Sequence, residues 1–98
     1  MKNQFGNKLK ELRESKGLLQ RQIASLLEID TPMLSKIERG ERTAKKEQIL
    51  KFSEIYKTDK DELLTLWLAD QVYELVKDEK VADNALKSVS KKINSKKK

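Results

Sequence analysis

The sequence contains no cysteine and no histidine, and only 5% of its 98 residues are aromatic. These absences exclude disulfides, Cys/His zinc sites, thiol nucleophiles and every catalytic triad that depends on histidine. So few aromatic side chains also argue against a surface that stacks single-stranded bases. A nuclease would need a metal-carboxylate site, and the acidic residues here lie at helix starts and on solvent faces. We therefore predict that the protein is not an enzyme and uses no cofactor or metal.

Long apolar runs are missing as well. The longest run is a few residues, far short of the ~20 that a transmembrane helix requires, and the first residues, MKNQFGNKLK, are polar where a secretory signal would be hydrophobic. We therefore expect a cytoplasmic protein with no membrane partner. A length of 98 residues supports one small domain and leaves little room for a second core.

Charge is abundant and unevenly distributed. Lys and Arg number 22 against 16 Asp and Glu, a net charge of +6 that favours polyanionic partners such as nucleic acid. Residues 1–56 carry a net +4, residues 57–86 a net −4, and residues 87–98 a net +6. A basic front and a lysine-rich end can approach an anion while the acidic middle serves another purpose, although each lysine run could equally be solvated surface.

Only three glycines and one proline interrupt the chain, and helix-forming residues dominate, so the sequence predicts an all-α fold. Apolar residues at helical spacing predict helices over residues 4–16, 20–27, 31–39, 44–56, 59–79 and 82–93. We expect Asn3, Asp30, Thr43 and Asp59 to cap four of these helices, and two glycines, Gly17 and Gly40, to terminate two.

The fifth predicted helix is unusual because its apolar residues surround it. Leu63, Leu64, Leu66, Trp67 and Leu68 point almost all the way round a helical wheel, which predicts burial on two sides. From residue 69 the helix becomes amphipathic, with Asp70 on its polar side. The sixth predicted helix carries a narrow apolar seam, and a loose lysine end follows it.

Two short helices joined by a turn, followed by a glycine and a basic loop, form the arrangement that places a helix in the DNA major groove. The particular residues, LKELRESKGLLQRQIASLLEIDTPMLSKIERGER, resemble the lambda-repressor-like, or Xre-type, helix-turn-helix family over residues 6–64. Gln20, Ala24, Ile29, Glu38 and Gly40 are among the specific matches. The resemblance implies a five-helix DNA-binding domain over residues 1–65, which here has an extended fifth helix and an added C-terminal helix.

Some matching positions are structural. Ala24 is small where two helices cross, and Leu27, Ile29 and Ile37 wedge them at a fixed angle. Glu38 resembles a family residue that pairs with the arginine matching Arg13, so we interpret it as half of a structural ion pair.

The resemblance places other residues on DNA. We expect Thr31, Pro32, Met33 and Lys36 to face the bases from the third helix, and Arg39 and Arg42 to reach a phosphate or a groove. Gln20 begins the second helix and can clamp a phosphate, with a simple solvated glutamine as the alternative. Ordinary surface is also the alternative for the further phosphate partners that we predict: Arg21, Lys45 and Lys46.

Three positions depart from the family pattern. Leu19 stands where a Ser or Thr usually caps the second helix, Glu28 replaces the usual Gly or Asn of the turn, and Ala44 replaces the usual Pro. These departures bear on stability and fine geometry more than on function.

Residues 66–93 add apolar surface that a five-helix core cannot absorb, so we predict a dimerisation extension there and a basic disordered tail over residues 94–98. The predicted dimer contacts are Leu66, Trp67, Leu68, Val72, Tyr73, Val76, Leu86 and Val89. A sixth helix that merely covers the fifth in a monomer is the alternative.

The leading hypothesis is a double-stranded DNA-binding transcriptional regulator that acts as a homodimer on an inverted-repeat operator and regulates its own operon. Within that class the sequence does not separate a phage-type repressor, a restriction-modification controller and a small biofilm or stress regulator. The alternative is an antitoxin whose C-terminal helices bind a toxin protein.

Overall fold

The computed structural model describes residues 3–96, and within that span it contains helices and turns but no strand. The all-α prediction is confirmed. In chain order the helices are α1 (Gln4–Ser15), α2 (Gln20–Leu27), α3 (Thr31–Arg39), α4 (Lys46–Tyr56), α5 (Lys60–Val76) and α6 (Ala82–Lys96). None of these helices is both long enough and apolar enough to cross a bilayer.

The first three helices follow local sequence signals closely. The Asn3 side chain caps α1 by accepting a hydrogen bond from the Gly6 amide at 3.2 Å. Gly17 and Gly40 adopt left-handed backbone angles, with φ of 66° and 78°, after α1 and α3. The predicted bounds of α2 and α3 are confirmed, and α1 ends one residue earlier than predicted.

The start of α4 corrects a prediction, because Thr43 does not cap it. The N-cap is Lys45, whose amide donates to the Gln48 side-chain oxygen at 2.8 Å. Ala44 is buried, and its carbonyl accepts a hydrogen bond from the Trp67 indole at 2.8 Å. This long-range contact holds the chain extended ahead of the helix, so α4 begins two residues later than expected.

One apolar core lies among α1 to α5. Phe52 is at its centre: its ring packs edge-on against Phe5, with centroids 6.2 Å apart, and stacks on Tyr56 at 6.1 Å. The buried apolar residues are Phe5, Leu9, Ile23, Ala24, Leu27, Leu34, Ile37, Ala44, Ile49, Phe52, Tyr56 and Leu63. Ile29, the predicted wedge in the turn, is half-buried against this core.

α1 is held at its N-terminus by two other helices. A Cβ atom added at Gly6 would overlap the carbonyl oxygens of Ile37 and Glu38, so α1 and α3 touch backbone to backbone there. Asp70 of α5 accepts hydrogen bonds from the amides of Gln4 at 3.1 Å and Phe5 at 2.9 Å. The prediction that Asp70 belongs to a solvent face is therefore wrong, since its carboxylate satisfies the open first turn of α1.

The two C-terminal helices differ from their predicted bounds. α5 ends at Val76 rather than near residue 79, and it runs unbroken across the domain boundary predicted after residue 65. The predicted bend follows at residues 77–81. α6 continues to Lys96, so residues 94–96 of the predicted disordered tail are helical, while residues 97–98 lie outside the described part of the chain.

The residues predicted to form a dimer separate into two groups. Leu66 and Trp67 pack against the core, so the expectation that they extend beyond it is wrong. The prediction that the apolar residues at the start of α5 are buried on two sides is wrong, because Leu63 is fully buried whereas Leu68 is 56% exposed. Val72 and Val76 are half-buried. Three further predicted contacts are exposed: Tyr73, Leu86 and Val89.

Candidate nucleic-acid interface

The turn between α2 and α3 sets the angle of the two helices. Glu28 takes a left-handed conformation with φ of 59°, and Asp30 caps α3 by accepting from the Met33 amide at 2.8 Å. The Ile29 amide donates back to the Ala24 carbonyl at 3.0 Å. Ala24 is 2% exposed, and its small side chain allows the helices to approach closely. The pair is therefore a rigid support for whatever α3 presents.

An ion pair beneath α3 ties it to α1. The Arg13 Nε and Nη2 atoms donate to the two Glu38 carboxylate oxygens at 2.8 and 3.0 Å. Arg13 also donates to the Leu18 carbonyl at 3.0 Å. Both partners are buried, and the hydrogen bond to Glu38 raises the pKa of Arg13 above its usual value. This geometry gives Glu38 a structural position facing away from solvent.

Gln20, predicted as a phosphate clamp, donates from its amide nitrogen to Glu38 Oε1 at 3.0 Å. It is half-buried, so the alternative of a freely solvated glutamine is wrong. The bond uses one amide hydrogen and anchors the start of α2 to the ion pair. The unpaired backbone amides of that first turn and the second side-chain hydrogen are still available to an anion.

The solvent side of α3 carries the predicted base-reading residues at graded depths. Pro32 and Lys36 are exposed, whereas Thr31 and Met33 are half-buried. Met33 also packs against the core, so part of its side chain supports α3. Lys36 is an exposed cation on this face, and no hydrogen bond or ion pair within residues 3–96 engages its ammonium. Together with the hydrogen bond from Arg39, its charge lowers the pKa of Glu41.

A family model described as a helix-turn-helix domain matches residues 4–66, about two thirds of the chain. The chain belongs to the helix-turn-helix domain family. This agrees with the resemblance to the Xre type. Comparison with curated proteins and with solved structures gave no match.

In a helix-turn-helix domain the second helix of the motif lies in the major groove, and the flanking residues contact the backbone. The corresponding helix here is α3. Two arginines lie at its C-terminal end, since Arg39 is its last residue and Arg42 is in the loop that follows. Arg42 is exposed and borders a cavity of about 490 Å³ shared with Trp67 and Asp70. Among the described residues, no hydrogen bond or ion pair engages the Arg42 guanidinium.

Arg39 differs from Arg42 because it is already paired. Its Nε and Nη2 atoms donate to the Glu41 carboxylate at 2.9 and 3.2 Å, and Nη1 contacts the Ser35 hydroxyl. The sequence pattern did not reveal this pairing. A signal was present, because an acid two residues after an arginine and one after a helix-ending glycine can fold back to it.

The remaining predicted phosphate partners of the domain are surface residues. Arg21, Lys45 and Lys46 are exposed, and each lies in the first turn or at the N-cap of its helix. Cations add to the positive end of the helix dipole there, which favours an approaching anion.

A polar groove of about 520 Å³ lies between α1, α2 and the end of α3. Sequence reasoning missed the α1 side of this groove. It is lined by Asn3, Asn7, Lys10, Gln20, Ser35, Glu38, Arg39 and Glu41. Lys10 is an exposed cation on the α1 side, and it makes no ion pair with any residue of the described part of the chain.

Proposed function

We propose that this helix-turn-helix protein is a sequence-specific double-stranded DNA-binding transcriptional regulator that inserts α3 into the major groove. The observation that carries the proposal is the rigid α2–α3 pair, which presents an exposed helix face beside unpaired cations. Buried contacts fix the pair from beneath, through Ala24 and the Arg13–Glu38 ion pair. The exposed face is therefore free for a ligand.

The exposed N-terminal part of α3 would contact the bases. The Lys36 ammonium can donate to guanine acceptors, the Met33 thioether end can cover a thymine methyl, and Thr31 can reach a base edge or a phosphate. Pro32 is exposed at the start of the helix, where it would lie at the edge of the DNA major groove.

Phosphate contacts surround this reading face. The first turn of α2 offers amides beside Gln20 and Arg21, the loop before α4 offers Arg42 and Lys45, and the first residue of α4 is Lys46. These contacts on both sides of α3 would fix the depth and register of the helix in the groove. Arg39 can add to them once it leaves Glu41.

We propose that the regulator acts as a homodimer through the outer face of α5 and the seam of α6. Leu68 and Leu75 of α5 are 56% and 79% exposed, and Val89 and Ile93 of α6 are about half exposed. No residue of α6 is buried in the single chain. A second copy would cover this apolar surface. Two recognition helices would then lie ~34 Å apart, one turn of the duplex, on an inverted-repeat operator.

Control of its own operon is the simplest regulatory scheme for such a dimer, because regulation then follows protein concentration. The antitoxin hypothesis is not favoured by the family match, and we assign the exposed apolar residues of α5 and α6 to the homodimer.

Selection of bound sequences from a pool of random duplexes by the full chain tests this function. We expect an enriched inverted repeat. Electrophoretic titrations at one salt concentration should then show that Lys36→Ala and Arg42→Ala weaken operator binding by ~1–3 kcal/mol while Lys45→Ala weakens operator and random DNA alike. Failure to enrich any sequence would contradict specific recognition, and equal losses on both DNAs for all three variants would show that α3 is not the reader.

A further inference from the structure

Arg39, the last residue of α3, has its guanidinium paired with two neighbouring side chains. Two of its nitrogens donate to the Glu41 carboxylate, and a third contacts the Ser35 hydroxyl. The side chains of Arg39 and Glu41 are 54% and 57% exposed, so water and other anions reach this pair. The arginine of the polar groove is therefore paired but accessible.

The backbone after α3 places Glu41 beside Arg39. Gly40 turns the chain with a left-handed φ of 78°, and the Glu41 amide then donates to the Lys36 carbonyl at 2.8 Å. The Arg42 amide donates to the same carbonyl at 3.3 Å. These bonds close the end of the helix and direct the residue after the glycine back along α3.

A carboxylate and a phosphate compete for a guanidinium because both accept paired N–H bonds from it. The pairing raises the pKa of Arg39 and lowers the pKa of Glu41, the effect that each charge has on the other through their hydrogen bond. The other acid of the groove, Glu38, is already committed to Arg13 and Gln20. Glu41 is thus the groove carboxylate that an incoming anion would displace.

We propose that Glu41 is a competing anion on the DNA-contacting surface, which holds the Arg39 guanidinium in the free protein until a DNA phosphate displaces it. The inference rests on the proposed function, since it assumes that this surface binds DNA. Arg39 can then contact a phosphate only after its bonds to Glu41 break. The Arg39–Glu41 ion pair therefore lowers the affinity of the protein for the phosphate backbone of DNA of any sequence.

A mutant cycle on random-sequence duplex DNA tests the competition. Fluorescence anisotropy would compare the wild-type chain, Glu41→Gln, Arg39→Ala and the double variant at low salt. Glu41→Gln should raise affinity about two- to five-fold, the range set by exposed ion pairs. The same change should have a much smaller effect in the Arg39→Ala background, because the released guanidinium is then absent.

The matched control is Glu54→Gln, which makes the same change of charge at an exposed position of α4. A gain from Glu41→Gln that is no larger than this control would mean that only net charge matters. A gain that is equally large without Arg39 would mean that Glu41 does not act through that guanidinium, and either result would overturn the proposal. A wild-type chain that binds no duplex at all would overturn the proposed function and this inference with it. Glu41→Ala should give the same gain as Glu41→Gln, because either substitution removes the carboxylate from an exposed position.

Discussion

At the scale of single residues, the buried hydroxyl of Tyr56 is the feature with the clearest energetic consequence. Tyr56 is 1% exposed, and its hydroxyl finds no hydrogen-bond partner within residues 3–96. Burial, reinforced by the negative charge of Glu38, raises the pKa of this phenol well above its ordinary value of 10.0. The folded protein therefore keeps the proton over a range in which the unfolded chain loses it.

The sign of the pH dependence follows from that difference. A group with a raised pKa in the folded state binds more protons there, so the free energy of unfolding falls as pH rises above the unfolded value. We therefore expect the free energy of unfolding to fall as the pH rises above about 10. Tyr56→Phe should remove this part of the loss and raise stability near neutral pH by ~1 kcal/mol, because an unsatisfied hydroxyl leaves the core.

Urea melts from pH 7 to above pH 10 would measure both effects. The matched control is Tyr73→Phe, because the Tyr73 ring is 47% exposed and lies outside the core. A steep alkaline loss that persists unchanged in Tyr56→Phe would show that another group causes it.

At the scale of helices, α2 begins without a side-chain cap. Leu19 occupies the N-cap, where it has no acceptor, and is 49% exposed. Its amide is satisfied by the Gln22 side-chain oxygen at 2.8 Å. Leu19→Thr should supply the missing acceptor and raise the free energy of unfolding by ~0.5–1 kcal/mol.

Urea melts would compare Leu19→Thr with Leu26→Thr, the same substitution at a 60% exposed position inside α2. Only the first should stabilise the protein, because a mid-helix threonine gains no cap. Destabilisation by Leu19→Thr would mean that the buried half of Leu19 matters more than the cap.

The contact between α5 and α1 stabilises the start of α1, because Asp70 accepts hydrogen bonds from two amides in its first turn. Asp70→Ala should lower the free energy of unfolding by ~1–2 kcal/mol. A carboxylate at a helix N-terminus accepts hydrogen bonds from the open amides, and its negative charge is attracted to the positive end of the helix dipole. Asp70→Asn keeps one acceptor and should cost less.

Thermal or urea melts would measure this loss, with Asp78→Ala as the control at an exposed position beyond α5. Equal effects of the two alanine variants would argue that the Asp70 bonds contribute nothing beyond surface charge.

These cases also show how much the sequence could predict. The bounds of α2 and α3 followed from local signals, namely apolar spacing, Asp30 and Gly40. The start of α4 and the role of Asp70 did not, because both depend on partners that are distant in sequence: Trp67 for the first, and the first turn of α1 for the second. At the interface, exposure of Lys36 was predictable from helical position, whereas the pairing of Arg39 and of Gln20 required the folded geometry.

At the scale of the whole molecule, α5 and α6 each expose apolar side chains, and the proposed dimer would bury both sets. Leu68→Asp with Leu75→Asp should convert the proposed dimer to a monomer while leaving far-ultraviolet helicity intact, because both leucines are exposed in the single chain. Val72 and Val76 are less suitable targets, since they are half-buried and their replacement would also disturb the fold.

Sedimentation velocity at micromolar protein would measure the change. Leu26→Asp, on an exposed position of α2 away from this surface, should leave the dimer unaffected. A wild-type chain that sediments as a monomer under these conditions would remove the basis for both the dimer and the inverted-repeat operator.

The Asp70 bond to the Phe5 amide also gives the protein an internal reporter of hydrogen exchange. First-turn amides normally exchange quickly, because no acceptor lies within their own helix. The Phe5 proton instead has an acceptor on α5, 65 residues along the chain. Its exchange with deuterium should be slow while α5 is docked and should speed up whenever that helix lifts. One backbone proton would thus record how often the C-terminal part of the molecule separates from the part that holds α3.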